Sequence, residues 1–248
     1  MQRLLELDLN ADLGEGSPGE ADILDVVTSA NVACGGHAGD EVTMRASVRL
    51  ALRGGVAIGA HPGFPDRENF GRVERPVTPS QAFEFVSEQI AALQAVAREE
   101  GATIAHVKPH GALYNMAVRD FELSLAIARS VKASGIRLLF GLPNSELLRA
   151  AAAENLVEVA ETFADRAYLR DGTLMPRARP GSVLHGEAAI RQGLSIAVRG
   201  EVNAEGAPLK LEAQTLCLHG DGRDAVALAR SLRDALVREG VTLRAPRP

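Results

Sequence analysis

Tryptophan is absent from this chain, and aromatic residues make up only 4% of it. Such a sequence offers few platforms on which unpaired bases could stack. Basic charge is not in excess either: the formal net charge is -5, which argues against a nucleic-acid footprint. No apolar run approaches the roughly 18 residues of a membrane span. The opening stretch MQRLLELDLNADLGEG interrupts its apolar residues with acids and makes a poor secretory signal. Cysteine occurs only at Cys34 and Cys217. Two thiols so far apart do not build a disulfide framework, and reduced thiols in a cytoplasmic protein are the expectation. Also missing are a GxxxxGK(S/T) phosphate loop, the HExxH and CxxC metal motifs, and a GxSxG nucleophile elbow.

What the chain does contain is a beat. Its 248 residues are 46% hydrophobic, enough for a large core. Apolar segments of strand length fall at Leu4–Leu9, Thr28–Ala33, Val56–Ala60, Ile104–Lys108, Ile136–Phe140, Val157–Glu161 and Thr215–His219. Helical patterns separate most of them: Asp40–Arg53, Ser80–Glu100, Asp120–Ser134, Ser145–Asn155, Gly186–Val198 and Arg223–Glu239, with room for a short helix in Pro18–Val27. Capping-type residues open several of these, and glycines close them. Repeated strand–helix alternation predicts parallel β-structure with right-handed crossovers. No linker or break in composition divides residues 1–248, so one domain is expected. Residues 200–211 interrupt the beat and look like an inserted β-hairpin.

Strand parity locates the polar residues. Leu5, Leu7 and Leu9 take one face of the first strand; Glu6, Asp8 and Asn10 take the other. His106, Lys108 and His110 share a parity in HVKPHGALYN, as do Ala57, Gly59 and His61, and Cys217, His219 and Asp221. In a parallel barrel the strand C-termini converge on one mouth, where active sites form. Any one histidine at a strand end is an ordinary structural feature, and Glu6 or His106 can be a satisfied interior group. The same pattern on several strands points to a shared polar site.

The loops add candidates. SANVACGGHAGD runs through paired glycines to His37, GAHPGFPDRENFGR is long enough to form a lid or clamp and carries Arg72, and ETFADRAY ends a strand with Glu161, Asp165 and Arg166. Asp165 and Arg166 also read as a local surface ion pair of little energetic weight. The inventory is Asp8, Asn10, Asp12, His37, His61, Lys108, His110, Glu161, Asp165, Arg166, His219 and Asp221. Carboxylates beside imidazoles suit either proton transfer or a divalent metal.

Taken in order, DLNADLGEG, SANVACGGHAGD, GAHPGFPD, HVKPHGALYN, ETFADRAY and LCLHGD resemble the LamB/YcsF family, the A component of the bacterial ATP-dependent 5-oxoprolinase. The likeness runs from about Leu7 to Asp221. It departs at Gly36, where a bulky aromatic is expected, and at Arg72-Val73, where the family often has two arginines. The resemblance implies a seven-stranded (β/α) barrel of the glycoside hydrolase/deacetylase type. It also implies opening of the 5-oxoproline lactam to L-glutamate with ATP hydrolysis, with ATP and Mg2+ as co-substrate and partner subunits B and C. Self-association is left open.

On that reading Lys108 and His110 stabilise charge on the lactam oxygen or a phosphate, and Asp8 or Asp12 activates water. His61 and His219 move protons or bind a metal, for which Asp8, His61 and His110 are the candidate ligands. Arg72 or Arg166 holds the substrate carboxylate, with Asn10, His37, Asn115, Glu161, Asp165 and Asp221 as further binding residues. Two alternatives stay open: a metal-dependent deacetylase, and a non-catalytic subunit that binds 5-oxoproline.

Overall fold

The segment LELDLNADL alternates apolar residues with acids and amides, the signature of a strand with one apolar face. In the computed structural model, which describes residues 5–17, 19–218 and 225–247, it forms β1, Leu5–Leu13. The elements then follow as α1 (Glu20–Leu24), β2 (Ser29–Ala33), α2 (Glu41–Gly54), β3 (Ala57–His61), α3 (Pro79–Glu99), β4 (His106–Val107), α4 (Gly111–Ala117) and α5 (Phe121–Ala133). Next come β5 (Leu138–Gly141), α6 (Glu146–Ala153), β6 (Val157–Phe163), α7 (Gly186–Arg199), β7 (Glu201–Ala204), β8 (Ala207–Lys210), β9 (Thr215–Leu218), α8 (Ala225–Arg238) and β10 (Val241–Leu243).

Strands β1 to β6 and β9 pair side by side in parallel, and β9 returns to β1, closing a seven-stranded barrel. The expected ring is therefore present. So is the hairpin: β7 and β8 pair antiparallel, Glu201 opposite Lys210. One strand lies outside the sequence expectation. β10 extends the sheet at the entrance of β1, pairing Leu5 with Val241 and Leu7 with Leu243, before Asp8 and its successors enter the ring. Three residues after a long helix carry too little pattern to be read as a strand.

Capping sets the helix starts. Asp40 and Thr43 bond reciprocally at α2, and Thr78 and Gln81 do the same at α3 with Pro79 in its first turn. Gly55 ends α2 in the left-handed conformation, φ 65°. β4 is shorter than expected, yet Ala105 and Lys108 still donate backbone hydrogen bonds to Ile58 and Ala60 of the neighbouring strand. Pro109 then stops the ladder, because it has no N–H to donate. The chain turns through His110 directly into α4, an element that the sequence pattern does not announce.

Leu7, Leu9, Ala11 and Leu13 point outward into one core shared with the helices, where Val48, Val86, Ile90, Leu93 and Leu232 are fully buried. Each large side chain removed from water there contributes about 1.5–3 kcal/mol. The opposite parity of β1 points into the barrel. Inside, Leu138, Phe140 and Val159 form a small separate apolar cluster on one wall. Glu6 shares the inward parity but precedes the ring; it is exposed and pairs with Arg244 at 3.1 Å.

Candidate active site

Polar groups inside the barrel stack in levels. Lowest is Asp8, whose carboxylate accepts hydrogen bonds from Thr28 Oγ1 (2.5 Å), Ser29 Oγ (2.8 Å) and Thr215 Oγ1 (2.5 Å). Burial pushes its pKa up to about 6 against those three stabilising bonds. Asn10 donates to Thr215 Oγ1 at 2.6 Å and accepts from Asn31 Nδ2 at 2.8 Å. Asn31 Nδ2 also donates to Asp12 Oδ1 at 2.9 Å, leaving its Oδ1 to accept from His106 Nε2 at 2.7 Å. His106 stacks flat on Phe140, with ring centroids 4.0 Å apart. Burial, then the neighbouring Lys108, lowers its pKa to about 3, so it is a neutral interior group.

His106 reaches across the barrel only because Gly59 faces it. A Cβ at position 59 would lie 2.0 Å from His106 Nε2. The small residue on β3 thus has a definite cause.

Lys108 occupies the next level. Its Nζ donates to Asp12 Oδ1 at 2.9 Å and lies 2.9 Å from Glu161 Oε1, 3.1 Å from Cys217 Sγ and 3.4 Å from Asn10 Oδ1. The Glu161 contact is an ion pair off the direction of a well-formed hydrogen bond. Burial opposes the ammonium charge, but the carboxylates of Asp12 and Glu161 outweigh it and carry the Lys108 pKa well above its usual value. The Cys217 thiol is pushed well up by burial, and Cys34 up to about 12; both thiols are free and protonated. Tyr114 brings a buried hydroxyl beside Glu161, and it makes no well-directed hydrogen bond.

At the mouth, three imidazoles meet two carboxylates. His61 Nε2 lies 3.3 Å from Asp12 Oδ2, 3.8 Å from Glu15 Oε1 and 3.0 Å from His110 Nδ1. His110 Nδ1 lies 3.3 Å from Glu15 Oε1, and His37 Nε2 lies 3.1 Å from the same oxygen. His37 stacks on His110 with centroids 3.6 Å apart, and its Nδ1 has no hydrogen-bond partner. Ligand atoms of Glu15, His37, His61 and His110 all lie within 4.8 Å of one another. Burial lowers the pKa of His37 and lowers that of His110 well below the ordinary range. For His61 burial acts the same way, but Asp12 outweighs it and the pKa rises.

A cavity of about 630 Å³ opens over these levels, a size typical of small-molecule sites. Asp12, His61, Arg72, Lys108, His110, Asn115 and Arg166 line it, and so do Glu15, Tyr114 and Arg177, which are absent from the sequence inventory. Asp8, Asn10, His37, Glu161 and Asp165 lie behind its lining. Two expectations change here. The ligand set read from sequence joined Asp8 to His61 and His110, whereas the structure gathers Glu15 and His37 around those imidazoles; Asp8 sits lower, enclosed by hydroxyls. Nor are Asp165 and Arg166 a surface pair: both are buried, and Arg166 donates to the carbonyls of Met175 (2.6 Å) and Ser182 (3.3 Å). Burial, with Arg177 next, draws the Arg166 pKa down to about 10. Arg72 lies over the Phe70 ring at 4.7 Å. His219 and Asp221 fall outside the described residues.

Glu15 follows the strand, so parity says nothing about it; its signal is only its position three residues after Asp12 in DLGEG. Position 36 is explained by Gln89, which brackets the Gly63 backbone with two hydrogen bonds (3.0 and 2.8 Å). A Cβ on Gly36 would lie 2.3 Å from Gln89 Oε1. Among the described residues no helix is long and apolar enough to cross a membrane.

Known proteins of similar fold narrow the assignment. A lactam utilization protein from Thermus thermophilus is 43% identical, with a TM-score of 0.89 over 97% of this chain and 100% of its own. A family 4 carbohydrate esterase from Streptomyces lividans is 14% identical, with a TM-score of 0.51 over 98% of this chain and 97% of its own. At that identity it shares the fold alone. The LamB/YcsF family pattern matches residues 7–248, and the chain belongs to the LamB/YcsF family.

Proposed function

We propose that this chain is the A component of an ATP-dependent 5-oxoprolinase, opening the lactam of 5-oxo-L-proline to L-glutamate while ATP becomes ADP and phosphate. The observation that carries this reading is the buried Lys108 ammonium against Asp12, at the floor of a cavity that also exposes Arg72 and Arg166. Likeness to a lactam utilization protein supports a lactam as the substrate class. Subunits B and C complete the enzyme on this reading, and Mg2+ accompanies the nucleotide.

A planar lactam is a poor electrophile. Transfer of the ATP γ-phosphoryl group to its oxygen releases ADP and leaves an activated imidate. Water then adds to the ring carbon, and Asp12 takes its proton. Collapse breaks the carbon–nitrogen bond and re-forms the carbonyl, and the proton held by Asp12 and that of the added hydroxyl both pass to the departing nitrogen. The product of this step is γ-glutamyl phosphate, which a second water converts to glutamate and phosphate. Lys108 offsets negative charge on the lactam oxygen. It also keeps Asp12 oriented through the 2.9 Å hydrogen bond. Arg166 and Arg72 receive the substrate carboxylate, with Asn115 beside them on the same wall. A divalent cation held by the imidazoles would add polarisation of the lactam oxygen.

The test is ATP-dependent release of glutamate from 5-oxoproline with subunits B and C supplied, then with this chain omitted, and then with Lys108→Ala in its place. Full ring opening by the Lys108→Ala enzyme would remove the lysine from the mechanism. A second reading, ATP-independent hydrolysis of an acylated substrate, is favoured by the Glu15–His37–His61–His110 donor group. Acetate release from an acetylated sugar or amine without nucleotide would establish that instead.

A further inference from the structure

We infer that the barrel mouth holds one divalent transition-metal ion, bound by Glu15, His61 and His110, with His37 positioning Glu15. The argument begins with tautomers. His61 Nδ1 lies 2.8 Å from the carbonyl oxygen of Lys108, and His110 Nε2 lies 2.9 Å from that of Phe70. A carbonyl oxygen can only accept, so each of these nitrogens carries its proton. In the neutral rings the other nitrogens, His61 Nε2 and His110 Nδ1, present lone pairs, and they face each other at 3.0 Å.

Two lone pairs at that separation repel. The groups around them make matters worse: Glu15 Oε1 lies 3.3 Å from His110 Nδ1, and Asp12 Oδ2 lies 3.3 Å from His61 Nε2. All four are acceptors in these tautomers. A proton on His61 Nε2 would relieve its contacts with His110 and Asp12 but leave His110 Nδ1 against Glu15 Oε1. A cation among them relieves all.

The ring nitrogens bonded to backbone carbonyls are the usual outer partners of metal-bound histidine, fixing both tautomer and orientation. His37 differs. Its Nε2 lies 3.1 Å from Glu15 Oε1, and no carbonyl holds its other nitrogen. It therefore donates to the carboxylate and holds it in place. Gly63 and Gly71 make room for this ring: a Cβ would lie 2.7 Å from His37 Nδ1 at position 63 and 2.8 Å from His37 Cβ at position 71. Two imidazoles and a carboxylate suit a borderline ion such as Zn2+ or Co2+ better than Mg2+. The ion would face the cavity that Asp12 and Lys108 also line.

The inference concerns the site of the proposed ring opening but does not need that reaction. Binding is read on this chain alone, so either idea can fail without the other. The experiment strips the purified chain with chelator, titrates it with Zn2+ by calorimetry, and counts metal by mass spectrometry after gel filtration. Co2+ is added in parallel and its visible absorption recorded. One equivalent of Zn2+ is expected, with a rise in Tm. The His61→Gln/His110→Gln variant should lose it, and Glu15→Gln should lose it or weaken it strongly. His37→Ala should keep one equivalent with about 10–100-fold weaker affinity. His185→Ala, at an exposed histidine that precedes α7 and has no part in the cavity lining, should bind as the parent does. Circular dichroism checks the fold, and Glu15→Gln serves where the double variant does not fold. Failure of the parent to retain Zn2+ or Co2+, or undiminished retention in both Glu15→Gln and the double variant, would overturn the site.

Discussion

Asp8 and Asp12 stand on one strand, on one face, four residues apart, yet their surroundings differ completely. Asp8 is saturated by three protein hydroxyls and has no part in the cavity lining. Asp12 faces an ammonium and an imidazole, and it lines the cavity. A buried carboxylate whose acceptors are all used by the protein holds the barrel together. One left facing mobile charge at a cavity can do chemistry. Parity alone cannot separate the two, because it fixes the face and not the level.

The largest expected effect sharpens that distinction. Asp12→Asn should cut turnover by about 10²–10⁴-fold, the usual contribution of a positioned proton carrier. Asp8→Asn should leave turnover within the same order of magnitude while altering stability. Reconstituted ATP-dependent glutamate release measures both. Equal losses in the two variants would erase the difference between the levels.

The pH dependence of stability probes Asp8 from the other side. Its folded pKa of about 6 lies above the ordinary 3.8, so the folded state binds the proton more tightly. Between pH 4 and 6 the folded chain therefore holds more protons than the unfolded one, and stability falls as pH rises. The stabilising contribution is complete below about 3.8 and is gone above about 6. At about 1.36 kcal/mol per pKa unit, the change is at most about 3 kcal/mol. Urea unfolding of the parent and Asp8→Asn across that range should show the decline in the parent and a flatter profile in the variant. Parallel profiles would mean that Asp8 titrates normally.

How far these levels were legible follows from the same geometry. The alternation in LELDLNADL assigned inward and outward faces correctly, because period 2 survives any change in strand length. The parallel pairing followed from the strand–helix beat, the closed seven-stranded ring from the family resemblance, and the hairpin at 200–211 from its turn residues. Glu15, Tyr114 and Arg177 escaped, since they lie on a loop, on the short helix α4 and on a second loop, where no periodicity points inward. β10 escaped because its three residues gain meaning only beside β1. Lys108 and His110 were readable as a pair. Their contacts with Asp12 and His61 arise only once the barrel closes.

Gly59→Ala tests whether the lower level is as rigid as its hydrogen bonds suggest. The added Cβ meets His106, which is held between Asn31 and the Phe140 ring. Overpacking of this kind costs about 1–3 kcal/mol. The cost should shrink in a His106→Ala background, giving a clear coupling in a double-mutant cycle read by urea midpoints. Additive effects would show that the imidazole moves aside freely.

The smallest effect bounds the rest. Thr78 caps α3, accepting from the Gln81 backbone amide, and it is exposed and has no part in the cavity lining. Thr78→Ala should lower stability by about 1 kcal/mol, the typical worth of such a cap. It should leave turnover and the pH profile unchanged, because α3 meets the barrel through apolar side chains such as Val86, Ile90 and Leu93 and the cap lies beyond them. Were this variant to lose activity in proportion to Asp12→Asn, the losses would report general weakening of the fold, and the division between a structural and a chemical carboxylate on β1 would no longer be needed.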